Sequence, residues 1–113
     1  MGNKVLKNEV SPFEVAETLK TLGENIRVAR IRRRMKQEEL AQKCSITRKT
    51  LYGIEKGLPG VGIGQIFSVL WVMGLLDSAK ELADPDKDEH GKILEAARQK
   101  KRVRDAQAED NDF

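Results

Sequence analysis

QEELAQKCSITRKTLYGIEKG, residues 37–57, decides how this chain folds. The spacing predicts a short helix from Gln37 through Cys44, with Glu38 and Glu39 in its first turn, where acids suit the positive end of the helix dipole. Ser45-Ile46 leaves room only for a tight connection. Thr47 is a good N-cap for a further helix, Arg48 to Lys56, which Gly57 closes at the usual C-terminal stop. Leu40, Ala41, Ile46, Leu51 and Ile54 fall where they can face inward and lock the two helices together, and the small Ala41 lets them cross closely.

Upstream, Ser11-Pro12-Phe13-Glu14 reads as a helix start, with serine at the cap, proline in the first turn and glutamate three residues after the serine. The helical pattern continues through Val15, Leu19 and Leu22 into Ile26 and Ala29. Gly23 either breaks it or weakens it, since glycine inside a helix costs about 1 kcal/mol relative to alanine. A first helix is expected near 22–34. Residues 1–10 are polar, uncapped and expected to be disordered or frayed.

Downstream, Leu58-Pro59-Gly60-Val61-Gly62 is a loop by composition. A fourth helix is expected at about 63–74, apolar at Ile66, Phe67, Val69, Leu70, Val72 and Met73. Asp77 then caps a short fifth helix ending before Pro85. The cluster of Trp71, Phe67 and Met73 is expected in the core, although this helix is apolar on more than one face and leaves a dimer contact open. Residues 85–113 hold one apolar cluster (Ile93, Leu94, Ala96 and Ala97), a basic run and an acidic end; a short helix over 90–100 fits there, but a packed core does not. The expected organisation is an all-α chain with an N-terminal extension over 1–20, helical from about 12, a five-helix domain over 21–84, and a charged, largely flexible tail over 85–113.

Composition excludes several classes of function. The stretch Ile63–Leu76 is interrupted by Gly64, Gln65, Ser68 and Gly74, too short and broken to span a bilayer, which needs about 20 apolar residues. Met1-Gly2-Asn3-Lys4 lacks the apolar run of a secretory signal, so a cytoplasmic protein with no membrane partner is expected. The single cysteine, Cys44, cannot form an internal disulfide and reads as a small buried hydrophobe. The single histidine, His90, cannot build a metal site alone. No nucleophile stands with a base, so no enzyme and no cofactor are expected.

Charge is more informative by distribution than by total, which is +3. Between Glu24 and Lys36 lie Arg27, Arg30, Arg32, Arg33, Arg34 and Lys36, with Glu24 the only acid. Arg98, Lys100, Lys101, Arg102 and Arg104 form a second basic run without an acid. Clustered cations suit a polyanion, but such runs are also ordinary solvated faces, so charge alone decides nothing.

The helix pair does decide. Two short helices joined by a tight turn, the second opening Thr47-Arg48-Lys49, have the geometry that lays a helix end in the DNA major groove. Arg48 and Lys49 can donate to guanine O6 and N7. The Thr47 methyl can touch a thymine methyl while its hydroxyl meets phosphate. Gln37 would bring donors to a phosphate at the start of its helix. The candidate DNA surface is Gln37, Thr47, Arg48, Lys49, Thr50, Tyr52 and Lys56. Of these, Tyr52 could instead pack on the helix, and Lys56 could merely complement its C-terminus.

The string Gln37–Gly57 is similar to the pattern Q-x-x-L-A…S/T-x-x-x-I/L-x-x-I/L-E-x-G of the Cro/C1-type (XRE) helix-turn-helix family of repressors, and residues 22–76 resemble that family's lambda repressor-like domain. The resemblance implies that Gln37 binds phosphate, that Thr47, Arg48 and Lys49 face base edges or the adjacent backbone, and that Glu55 pairs with Arg30 as a structural ion pair. Ser45 stands where the family often has a turn glycine, so the turn is either strained or differently shaped. Gly53 stands where relatives often carry a polar contact to DNA, which narrows readout to the start of the helix.

One short recognition helix offers few base contacts, so a homodimer on a pseudo-palindromic operator is expected. Gly60-Val61, Gly74-Leu75-Leu76-Asp77, Ala83-Asp84-Pro85 and Lys101-Arg102-Val103-Arg104 together resemble HipB-type antitoxins. That resemblance implies a repressor of its own operon that binds a HipA-type kinase toxin. A stand-alone phage- or plasmid-type repressor and a scaffold with weak DNA binding remain the alternatives.

Overall fold

The structure is a computed structural model and describes residues 12–110. Five α-helices and two 3-10 segments make up the described residues, with no strand among them. They divide into two compact units at Ala79/Lys80.

In the first unit, α1 (Phe13–Arg32) is one continuous helix of 20 residues. It starts nine residues before the expected boundary near 22, and Pro12 sits at the cap rather than within the first turn. Ser11, expected as the cap, and the segment 1–10 lie outside the described residues. Gly23 does not break α1. It is buried because the far helix comes too close for any side chain: a Cβ there would lie 2.4 Å from the Ile54 carbonyl oxygen and 2.6 Å from that of Glu55.

Helices α2 (Gln37–Lys43), α3 (Arg48–Lys56) and α4 (Ile63–Val72) follow. All four helices of this unit stop the same way. The N–H just past a left-handed residue reaches back to a carbonyl five residues earlier, as in Met35 to Arg30, Ile46 to Ala41, Leu58 to Gly53 and Leu75 to Leu70. This closure needs a left-handed residue just beyond the helix. Gly57 and Gly74 supply it without cost, whereas Arg34 and Ser45 adopt φ of 57° with a side chain in place. Arg34 is therefore why α1 ends at Arg32, short of the expected 34. Ser45 gives the turn the usual shape at the expense of strain, the first of the two options open in the sequence.

Helix α3 packs on both α1 and α2, and α2 also packs on α4. Ile26 and Ala29 of α1, Leu40 and Ala41 of α2, Leu51 and Ile54 of α3, and Val69, Leu70 and Met73 from α4 and its end form the core, with Cys44 among them. Burying each large aliphatic side chain contributes about 1.5–3 kcal/mol. Ile46 is half-buried against this core. Trp71 departs from expectation: it is 69% exposed, while Phe67 is half-buried and Met73 is buried. Trp71 points away because Val69, Leu70 and Met73 take the inward side of the helix.

The segment Leu76–Glu81 is a 3-10 helix, in place of the expected fifth α-helix capped by Asp77. None of its residues is fully buried, and without a well-buried face six residues do not sustain α-helical turns. The second unit contains the 3-10 turn Pro85–Lys87, capped by Asp84, and α5 (Glu89–Asp110). Asp88 Oδ1 accepts from the Gly91 N–H at 2.9 Å and caps α5. At 22 residues α5 is about twice the expected length, in the stretch read as a largely flexible tail. No described residue from 80 onward is buried.

Candidate nucleic-acid interface

Thr47 caps α3 through its own side chain. Its Oγ1 accepts from the Thr50 N–H at 3.0 Å and donates to Thr50 Oγ1 at 2.9 Å. The Thr47 hydroxyl is thus committed to the cap, and only its methyl remains as read from the sequence. The Thr50 hydroxyl still has its own proton to offer. Arg48 and Lys49 follow on the exposed first turn and make no ion pair among the described residues. Tyr52, one turn later, is 45% exposed, and the Lys56 ammonium stands 5.6 Å from its ring centroid. That cation–π contact keeps both side chains on one stripe of α3.

Beneath the stripe, Glu55 is almost fully buried and could not carry its charge there unpaired. Arg30 grips it with two bonds, Nε to Oε2 at 2.7 Å and Nη2 to Oε1 at 3.0 Å. The same guanidinium donates through Nη1 to the Met35 carbonyl at 2.8 Å, which ties down the chain between α1 and α2. Gln37 completes the group, its Nε2 donating to Glu55 Oε1 at 2.9 Å. The Gln37 side chain is therefore half-buried and turned inward, not held out as a free donor. One amide proton and the amide oxygen remain for an outside partner.

These bonds join three helices at one point. Buried side-chain atoms without a hydrogen-bond partner are absent among the described residues. Above the Glu55 group lies a cleft of about 580 Å³ whose walls include Gln37, Arg48, Tyr52 and Lys56 from the expected surface. Lys49 and Thr47 lie outside its lining. The other wall belongs to α1 and includes Lys20 and Arg27, which sequence reasoning did not single out. Their signal was present: Lys20, Glu24 and Arg27 recur at the spacing of one helix face.

Gly53 is buried beneath the loop, and a Cβ on it would meet Leu58 Cδ1 at 3.7 Å and Val61 Cγ2 at 3.9 Å. A long polar side chain at this position would first have to pass Leu58 and Val61. Cys44 is buried, which pushes its thiol above the ordinary range. Its Sγ lies 3.9 Å from the Ser68 carbonyl oxygen. Three or more His, Cys, Asp or Glu side chains able to hold a metal ion do not come together anywhere among the described residues. No described helix is long and apolar enough to cross a membrane.

Two short helices at a tight turn, with the second exposing cations at its capped start, are joined by a sequence match: residues 26–66 fit the family described as helix-turn-helix. Residues 26–66 are a helix-turn-helix domain of the Cro/C1 type. No curated protein matches the chain. The helix-turn-helix domain makes this chain a DNA-binding transcriptional regulator. The matched segment runs from the C-terminal part of α1 into the start of α4, so it takes in the Arg30–Glu55 pair and the whole of α3.

Proposed function

We propose that the protein is a sequence-specific repressor that binds a pseudo-palindromic operator as a homodimer in the cytoplasm, without enzymatic activity. The observation that carries this reading is the free start of α3: Arg48 and Lys49 are exposed and unpaired among the described residues, on a helix held rigid by the buried Arg30–Glu55 pair. A rigid helix with unspent donors at one end suits groove reading, because little further ordering is needed on binding. Thr50 and the Thr47 methyl would flank them, while Gln37, Tyr52 and Lys56 would meet backbone.

The exposure of Ile63 and Trp71, with Phe67 between them at helical spacing, supports α4 as the surface where two copies meet. The resemblance of the segments downstream of α3, from Gly60-Val61 to Lys101-Arg102-Val103-Arg104, to HipB-type antitoxins supports autorepression beside a HipA-type kinase toxin. The test is fluorescence anisotropy with the DNA upstream of the protein's own gene against scrambled DNA, at two salt concentrations. Preference for the native DNA that persists at high salt is the expected result, since non-specific binding is electrostatic and fades steeply with salt. Equal and salt-sensitive binding to both would defeat the autorepressor reading. Copurification of the neighbouring gene product tests the toxin partnership separately.

A further inference from the structure

Helix α1 reaches well ahead of the matched segment, and the structure sets the part of that extra length from Leu19 to Gly23 against the C-terminal half of α3. Gly57 approaches the Lys20 backbone so closely that a Cβ would lie 2.6 Å from Lys20 Cα, and Gly23 meets the Ile54 carbonyl in the same way. Residue numbers therefore rise along α1 as they fall along α3: the helices run antiparallel in backbone contact. Lys20 is set at the C-terminal end of α3, and Arg27 about 10 Å further along α1, towards the reading end. Lys20, Glu24 and Arg27 make one face of α1, and Arg48, Tyr52 and Lys56 one stripe of α3; all six line the same open cleft.

The charges in that cleft do not balance. Arg30 neutralises Glu55 from beneath, which leaves Glu24 as the only carboxylate facing four cations. Glu24 sits 3.3 Å from Arg27, and Lys20 is 3.7 Å from Glu17. Both are exposed pairs one turn apart, worth little in water and easily exchanged for a stronger anion. The strip is continuous with Arg48, so it lies where a strand whose bases met the start of α3 would bring its phosphates. An acidic peptide would have no reason to align with the reading end.

We propose that Lys20 and Arg27 form a phosphate-binding flank that extends the DNA footprint of the helix-turn-helix domain along α1. The proposal rests on the DNA-binding reading above. Its ligand is the backbone of duplex DNA, without regard to sequence. Glu24 tempers the site, setting how tightly the protein holds DNA other than its operator.

The test is the salt dependence of binding to a random-sequence duplex, for the full chain and for a Lys20→Gln, Arg27→Gln double variant. Each phosphate contact contributes a slope of about 0.9 in log affinity against log salt, so between about 50 and 200 mM salt the double variant should lose about tenfold less affinity than the parent. Lys20→Arg with Arg27→Lys should restore the parental slope, and Glu24→Gln should tighten binding. All three positions lie on an exposed face of α1, and circular dichroism checks that the helices persist. If the parent binds with a steep slope and the double variant keeps that slope, the flank is overturned while the DNA reading stands. A parent that does not bind duplex at low salt overturns both. Loss of binding to polyglutamate, with duplex binding unchanged, would assign the flank to an acidic protein and overturn it as a DNA site.

Discussion

The side-chain amide of Gln37 donates to Glu55 across the helix-turn-helix, joining the start of α2 to the end of α3 at 2.9 Å. With Arg30 on the other side, Glu55 accepts three hydrogen bonds in a nearly dry site. A carboxylate so held is the point on which the angle between the two helices depends. Loss of either charge should therefore reach DNA binding through the fold, not through contact.

Arg30→Met should leave Glu55 buried and uncompensated, costing about 3–5 kcal/mol of stability in urea unfolding. Gln37→Ala removes one neutral donor from a carboxylate that keeps its arginine, and should cost about 1–2 kcal/mol. If the two losses came out equal, the central place given to Arg30 would be wrong.

Two buried glycines in helices should respond to alanine with opposite signs. Gly53→Ala finds ordinary contact distances to Leu58 and Val61, so it should stabilise by about 1 kcal/mol through helix propensity. Gly23→Ala gains the same propensity but drives a methyl into the Ile54 and Glu55 carbonyls, which are backbone and cannot step aside. It should destabilise by about 3 kcal/mol or more, the scale of severe overpacking. Thermal melts of both variants decide this.

Ser45→Gly relieves a left-handed residue whose side chain costs about 1–2 kcal/mol, against the extra unfolded-state freedom of glycine, about 0.4–1 kcal/mol. A net gain of about 0.5–1 kcal/mol in urea unfolding is expected, with DNA affinity unchanged. A loss of stability would mean that the turn is not strained as its backbone angle indicates.

Arg48→Ala should cost about 1–3 kcal/mol on the cognate operator and less on random DNA. Equal losses on both would show that Arg48 holds only phosphate.

Burial raises the Cys44 thiol pKa, so in the folded protein it keeps its proton at pH values where a free thiol ionises. Stability from this group is full below the ordinary thiol range and is lost as pH rises through the folded-state value. Alkylation at neutral pH should accordingly be slow in the folded protein and fast in denaturant; rapid labelling without denaturant would contradict the burial.

Residues 37–57 carried most of the fold in plain view. Thr47, Gly57 and the apolar positions Leu40, Leu51 and Ile54 are local signals, since caps, stops and helical periodicity depend on neighbours within a turn or two. The start of α1 was legible at Phe13, yet its continuity through Gly23 was not. Glycine reads as a break in isolation and becomes a requirement only when the backbone of Ile54 and Glu55, far along the chain, arrives against it.

The candidate site divides along the same line. Sequence by itself determined the helix-turn-helix and the cations at the start of α3, because both are written in spacing, and the family resemblance implied the Arg30–Glu55 partnership. Only the tertiary structure decided that Gln37 turns inward, that Thr47 spends its hydroxyl on a cap, that Trp71 faces out and that Lys20 and Arg27 share a cleft with Arg48. Those outcomes depend on which surfaces meet. A side chain chooses between a buried carboxylate and solvent only after distant helices have been brought within about 3 Å of it.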